Sequence, residues 1–294
     1  MMQNKNFLEE IKFQIRHGKM TNKLIIINVG VFVLIQLLMA TQRLTETPND
    51  FLINNVFGLD THLSGFLRRP WGLITSIFSH FDLWHLLFNM LFLYFAGKFF
   101  ETIFDQKRLL ATYLIGGIIG GLVELLAHLI FFNNSSNSPS VVGASGSIMA
   151  IFAAIAFYSP NTKVMLFGVL PIRLFILAIF FLLKDIIGIG QEDEIAHFAH
   201  IGGAILGVLS VQKTYSKRNI ITFTLNIFNN LSTFNFSANK KTSKTFRAKS
   251  DEAYNYEKKI KQEKTDVILD KIAKSGYESL NKAEKDFLFN QSNK

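Results

Sequence analysis

Polar side chains inside segments apolar enough to enter a membrane are costly and usually functional. In this 294-residue chain, three short groups of residues combine such polar side chains with glycines. In chain order, the groups contain His80, His85 and Asn89; Gly143, Ser145 and Gly146; and His197, His200, Gly203 and Gly207. Hydroxyl, imidazole and amide groups are the components of nucleophilic hydrolysis, in which a serine attacks a carbonyl and a histidine accepts its proton.

Ser145 is the candidate nucleophile because it begins an apolar segment directly after the polar loop 132–139, which gives water a way in. Backbone N–H groups at the start of a helix carry the positive end of the helix dipole and suit a developing oxyanion. His200 can act as the base if its helix touches that of Ser145. His85 and Asn89 are four residues apart, share one helix face and could complete the oxyanion hole.

Glycines make that helix contact possible. Gly143 and Gly146 lie in one segment and Gly203 and Gly207 in the other, and small residues let two membrane helices approach closely. Small residues next to the serine also leave room for a substrate backbone. We expect a serine–histidine dyad, without a third-member aspartate at membrane depth.

Each motif has a plainer interpretation when taken alone. A Gly-x-Ser-Gly sequence is more often a helix start or a packing patch. His197 and His200 have the spacing of metal ligands, but we expect no carboxylate beside them, and we assign no metal. Glu124 and His128 are four residues apart and are typical of a buried hydrogen-bonded pair. Proton coupling through that pair would indicate a transporter, although the chain shows no internal repeat.

The composition identifies a membrane protein. The chain is 49% hydrophobic with a mean hydropathy of +0.25, and its apolar runs are about 17–25 residues long, enough to cross a bilayer. The absence of cysteine excludes disulfides and thiolate catalysis. The net charge of +9 lies mostly after residue 212, where 17 Lys and Arg face 9 Asp and Glu. We therefore expect a lipid bilayer as partner and no nucleic acid.

The apolar pattern predicts an all-α protein with six membrane spans. These spans are about 24–40, 83–98, 109–131, 143–158, 174–188 and 195–212. The predicted domains are an N-terminal segment 1–22, a six-helix membrane domain 23–212, a basic flexible linker 213–254 and a small C-terminal helical hairpin 255–294. Lys and Arg flank the spans on one face, which predicts that both termini are cytoplasmic. The composition favours a bacterial inner membrane.

Taken together and in this order, the motifs resemble the rhomboid family of intramembrane serine proteases. The resemblance covers about residues 60–212. It rests on His80-x4-His85-x3-Asn89 in the second span, Gly143-Ala-Ser145-Gly146 at the top of the fourth, Ala199-His200-Ile-Gly-Gly203-x3-Gly207 in the sixth, and Gly97 and Glu101 after the second.

The resemblance implies a nucleophile at Ser145 and a general base at His200. It implies an oxyanion hole formed by His85, Asn89 and the Ser145 backbone N–H, with His80 and the glycines supporting the site. The implied substrates are transmembrane helices of other proteins, cut near the outer membrane boundary, and no cofactor is required.

The chain departs from the family pattern at two positions. Gly72 follows Trp71 where the family often has arginine, so the hydrogen bonds of that loop are expected to differ. Met149 stands where some members place a tyrosine under the histidine, which predicts weaker orientation of His200. Among the two histidines of the sixth span, we choose His200 because it alone has Gly at +3 and +7. The alternative is a silent relative that binds membrane helices without cutting them.

Overall fold

The computed structural model describes residues 7–45, 50–132, 140–166, 170–191, 195–214, 216, 218–233, 265, 268–272, 276 and 279–292. The chain divides into two compact units, residues 1–235 and residues 236–294.

The first unit is built mainly from helices. They are α1 (Phe7–His17), α2 (Met20–Thr45), α3 (Asp50–Phe57), α4 (Leu63–Arg68), α5 (Gly72–Thr75), α6 (Leu83–Ile103), α7 (Gln106–Phe131), α8 (Ser145–Tyr158), α9 (Leu174–Gly188), α10 (His197–Val211) and α11 (Ile220–Thr233). A 3₁₀ turn, Ser76–Phe78, precedes α6.

Two small antiparallel sheets correct the expectation of an all-α fold. Strand β1 (Leu59–Asp60) pairs with β2 (Ser140–Val141), and β3 (Lys163–Leu166) pairs with β4 (Leu170–Arg173). The second sheet includes Pro171, which a two-stranded hairpin tolerates because each strand has an unpaired edge.

Within the described residues, three helices are long and apolar enough to cross a membrane, namely α2, α6 and α7. Helices α8 and α10 are also apolar but shorter. With α9, these helices overlap the six predicted spans and begin or end within a few residues of the predicted boundaries.

Helix α8 is the centre of the bundle. Every residue from Gly146 to Ala156 is buried, and α6, α7, α9 and α10 pack around it. A helix that is apolar on all sides is buried, either in a protein core or in a membrane, and α8 is buried by its neighbours. The first turn of α8, which begins at Ser145, is therefore held rigidly by its surroundings.

Glycines bring α10 against the backbone of α8. A Cβ added at Gly203 would lie 2.1 Å from the Gly146 carbonyl oxygen, and one at Gly207 would lie 2.2 Å from the Ala150 carbonyl oxygen. Any side chain at these two positions would push the helices apart.

Helix α11 corrects the predicted linker 213–254, because residues 220–233 are helical. The buried Arg108 of α7 donates through Nη2 to the Thr214 carbonyl at 2.8 Å and to Asn219 Oδ1 at 2.9 Å. A buried guanidinium must find acceptors. The polar residues after α10 supply them, so a segment that looked weakly ordered is fixed at its start.

The start of α2 is anchored to α6. The Glu101 carboxylate accepts hydrogen bonds from the Met20 backbone N–H and the Thr21 hydroxyl, both at 2.8 Å. Gly97 faces Thr21 so closely that a Cβ would lie 2.7 Å from its hydroxyl oxygen. The predicted boundary at residue 22 therefore falls inside a helix, two residues after its start at Met20.

The second unit contains α12 (Lys282–Ser292). Asn281 and Glu284 form a reciprocal capping pair at its start, with the Glu284 N–H donating to Asn281 Oδ1 at 2.9 Å and the Asn281 N–H to Glu284 Oε2 at 2.8 Å. The Lys271 ammonium also donates to Glu284 and lowers the pKa of that carboxyl. Much of the predicted hairpin 255–294 lies outside the described residues, so the hairpin stays a prediction.

We expect Gly203→Ala to destabilise the first unit by about 1–3 kcal/mol, since the added methyl group meets backbone and not a mobile side chain. Thermal unfolding in detergent, followed by intrinsic fluorescence, measures the change. The control is Gly30→Ala in α2, where nothing lies within 4 Å of the new Cβ. That variant should keep or slightly raise the midpoint, and equal losses in both variants would contradict the packing argument.

Candidate active site

Ser145 and His200 meet across the contact between α8 and α10. The His200 Nε2 and the Ser145 Oγ lie 2.7 Å apart, within hydrogen-bonding distance. Ser145 is the first residue of α8, where backbone N–H groups have no intrahelical acceptor. The arrangement can deprotonate the hydroxyl and present N–H donors beside it.

Asp185 of α9 holds the other side of His200. Its Oδ1 lies 2.8 Å from the His200 Nδ1. The expectation of a dyad without an aspartate is wrong in this respect. Asp185 and the adjacent Lys184 lie within the predicted apolar span 174–188, and a carboxylate within a span is itself a functional signal.

His197 shares the same carboxylate oxygen. Its Nδ1 lies 3.0 Å from the Asp185 Oδ1, and both side chains are buried. The expectation that the two histidines have no carboxylate neighbour is therefore also wrong. Because Asp185 comes from a different helix, the spacing within 195–212 contained no sign of it.

Glu124 of α7 caps the start of α10. Its Oε2 accepts a hydrogen bond from the Ala199 backbone N–H at 2.9 Å, while its Oε1 lies 3.3 Å from the His128 Nδ1. A carboxylate at a helix N-terminus accepts from a backbone N–H that has no partner within the helix, and its negative charge interacts favourably with the positive end of the helix dipole. Glu124 thus positions the helix that carries His200, an ordinary structural use of a buried acid.

Asn89 lies next to His80 in the structure. The Asn89 Nδ2 is 3.0 Å from the His80 Nε2, and the Ala144 N–H donates to the same nitrogen at 3.4 Å. His80 is fully buried. It links α6 to the residue before Ser145.

Gly143 brings His85 close to the serine. Its φ of +130° is unfavourable for other residues. A Cβ there would lie 2.9 Å from the His85 Nε2 and 3.7 Å from the Ser145 Oγ. The imidazole therefore borders the space beside the hydroxyl, which a larger residue would fill.

The two departures from the family pattern have local compensations. Gly72 lets α5 approach β1, since a Cβ there would lie 2.4 Å from the Gly58 carbonyl oxygen. The adjoining loop is held by an ion pair between Arg69 and Asp60. Met149 is buried in α8. Orientation of His200, which Met149 was expected to weaken, comes from Asp185.

The family model of the Rhomboid domain matches residues 67–217, just over half of the chain. This chain therefore belongs to the rhomboid family, whose members are generally intramembrane serine proteases, although some are inactive. Residues 249–294 match a second model, described as a family of unknown function, DUF6576.

Curated relatives agree with this assignment. The chain is 32% identical over 200 residues to RHOMBOID-like protein 12, mitochondrial, of Arabidopsis thaliana, covering 64% of this chain and 56% of that protein. It is 30% identical over 142 residues to the human Presenilin-associated rhomboid-like protein, mitochondrial, covering 46% of this chain and 36% of that protein. The matched part of the chain thus spans about half of the length of the plant relative and about a third of the length of the human one.

The prediction of a bacterial inner membrane with cytoplasmic termini is wrong. The relatives just described are mitochondrial rhomboid-like proteins of a plant and an animal. The prediction failed because hydropathy and basic flanks indicate that a chain enters a bilayer, and they do not distinguish one cellular membrane from another.

We expect Asp185→Asn to lower the reactivity of Ser145 toward a fluorophosphonate by about 10²–10⁴-fold, the usual contribution of a positioned acid–base group. A neutral amide cannot stabilise the imidazolium that forms when His200 takes the proton. Labelling rates of purified protein measure the change.

The control is Asp105→Asn, because Asp105 caps α7 by accepting from the Arg108 N–H and asparagine caps equally well. Unchanged labelling in Asp185→Asn would remove Asp185 from the mechanism.

Proposed function

We propose that this chain is a serine endopeptidase that hydrolyses peptide bonds in or next to transmembrane helices of other membrane proteins. The observation that carries the proposal is the 2.7 Å separation between the Ser145 Oγ and the His200 Nε2 at the start of a buried helix. Membership of the rhomboid family supports the same reaction class.

In the proposed first step, the His200 Nε2 accepts the proton of Ser145 as the hydroxyl oxygen attacks the scissile carbonyl. The Nδ1–H donates to Asp185, which selects the tautomer with a free lone pair on Nε2 and stabilises the imidazolium. The imidazolium then protonates the leaving amine. Water, deprotonated by the same nitrogen, hydrolyses the acyl-enzyme, and no cofactor takes part.

The oxyanion of the tetrahedral intermediate is stabilised at the start of α8. We assign this role to the Ser145 backbone N–H, His85 and Asn89. The amide of Asn89 has two N–H donors, so one can remain on His80 while the other turns to the oxyanion. The support for His85 is its proximity to Gly143 and Ser145.

We further propose that α2, α6, α7, α8, α9 and α10 form six membrane spans within a membrane domain of residues 23–212. The three long helices are long enough to cross a bilayer. Helix α8 is shorter, but its neighbours enclose it, so it does not need to cover the full thickness of the bilayer by itself. We also propose a small C-terminal helical hairpin at 255–294, of which the structure describes α12 (Lys282–Ser292). The partners are the bilayer and transmembrane substrates, and the mitochondrial relatives support a mitochondrial membrane.

Ser145→Ala and His200→Ala should each abolish fluorophosphonate labelling and peptide cleavage while leaving the protein folded. The matched control is Ser147→Ala, one half-turn along the same helix. Within the described residues, the Ser147 hydroxyl is buried without a hydrogen-bond partner. Its removal should therefore leave activity intact. Folded wild-type protein that neither labels nor cleaves a transmembrane peptide would favour the silent, helix-binding alternative.

Asn89→Ala should raise the barrier of the chemical step by about 2–4 kcal/mol, which is the usual effect of removing one oxyanion donor. Steady-state cleavage of a transmembrane peptide should show this loss in kcat with little change in KM. The exposed Asn54 provides the control variant Asn54→Ala. A rise in KM alone would indicate that Asn89 contacts the ground state only.

A further inference from the structure

Three metal-ligating side chains converge behind His200. The Asp185 Oδ1, the His197 Nδ1 and the His200 Nδ1 all lie within 4.8 Å of one another. Asp185 is 3% exposed and His197 6% exposed. Within the part of the chain that the structure describes, this is the one cluster of its kind.

We propose that Asp185, His197 and His200 form a regulatory site for a divalent transition metal, with zinc as the favoured ion, and that its occupation switches the proposed hydrolase off. The metal site itself is argued from geometry alone. Its consequence for catalysis rests on the proposed function.

The donor set suits zinc. Two imidazole nitrogens and one carboxylate oxygen are a common set of protein ligands for Zn²⁺, with the fourth position left to water. Neighbouring ligand atoms around a tetrahedral zinc are about 3.3 Å apart, given bonds of about 2.0–2.1 Å. The two distances from Asp185 Oδ1, 2.8 Å to His200 and 3.0 Å to His197, need only small expansion.

The electrostatics also favour a cation. A buried carboxylate with two neutral imidazoles has a net charge of −1, and an uncompensated charge in a medium of low dielectric is costly. A divalent ion is attracted by the carboxylate, changes the net charge of the cluster from −1 to +1, and replaces two N–H···O hydrogen bonds by bonds to the metal.

A cavity reaches this cluster from the side of α9. It has a volume of about 450 Å³, and its mainly apolar lining also includes Lys184, Gly188, Gln191 and His197. Gly188 makes room for the imidazole, because a Cβ there would lie 2.3 Å from the His197 Nε2. His197 is the member of the cluster that lines this cavity, so the cluster is approached from the His197 side.

Metal binding would change the tautomer of His200. A metal on Nδ1 takes the lone pair that a proton occupied, so the one proton of the neutral ring moves to Nε2 and no proton is lost or gained. The Ser145 Oγ, 2.7 Å from Nε2, then faces an N–H donor where it had faced a base. Without a base, the hydroxyl cannot be deprotonated.

The test compares wild type with His197→Asn in the full chain, purified in detergent and stripped of metal. The asparagine amide nitrogen can donate to Asp185 as the imidazole Nδ1–H does, but it is a poor metal ligand. His62→Ala is the control, since His62 lies outside the cluster. Isothermal titration with Zn²⁺ gives stoichiometry and affinity, and fluorophosphonate labelling is compared with and without Zn²⁺ for each protein.

We expect wild type and His62→Ala to bind one Zn²⁺ per chain and to lose labelling when it is added. His197→Asn should bind at least about tenfold more weakly, and its labelling should resist the same Zn²⁺ concentration. No binding by folded wild type, or equal affinity in His197→Asn, would overturn the site. Binding without loss of labelling would overturn the switch. If metal-free wild type does not label but Zn²⁺ binding depends on His197, the metal site stands and the proposed hydrolase fails.

Discussion

The close contact between α8 and α10 is the constraint on which the rest of the structure depends. Gly203 and Gly207 let the backbone of α10 lie against the carbonyls of Gly146 and Ala150. That separation sets the 2.7 Å distance between the Ser145 Oγ and the His200 Nε2. Hydrophobic attraction between helices is weak inside a bilayer, so close packing of small residues carries much of the association. A methyl group at either glycine would act on the site as directly as on stability.

Buried polar groups hold this contact in register. Glu124 caps the start of α10, Asp185 orients His200 from α9, and Arg108 ties the end of α10 to the segment that follows it. Each of these charges is costly to bury and is retained with specific hydrogen-bond partners. The helix that carries His200 is therefore fixed at both ends and at His200 itself, which is the preorganisation that the proposed hydrolase requires.

The motifs and most helices could be predicted from the sequence, because they depend on local spacing. Apolar runs mark α2, α6 and α7, and small residues mark the start of α8 and the packed face of α10. The structural expectations that were wrong mostly concern contacts between distant segments. Asp185 was hidden in an apolar run, α11 looked like a linker, and the strands at 59–60 and 140–141 pair over a separation that no local pattern reports.

By itself, the sequence determined the membrane class, the candidate nucleophile Ser145 and the candidate base His200, because hydropathy and residue type are properties of the chain. Only the tertiary structure decided that Asp185 stands behind His200, that His197 shares the same carboxylate, and that Asn89 lies against His80. These contacts are made between segments that are separated along the chain, and they depend on how each helix is rotated relative to its neighbours. The packing of whole helices determines which side chains come within hydrogen-bonding distance, and the spacing of residues along the sequence does not.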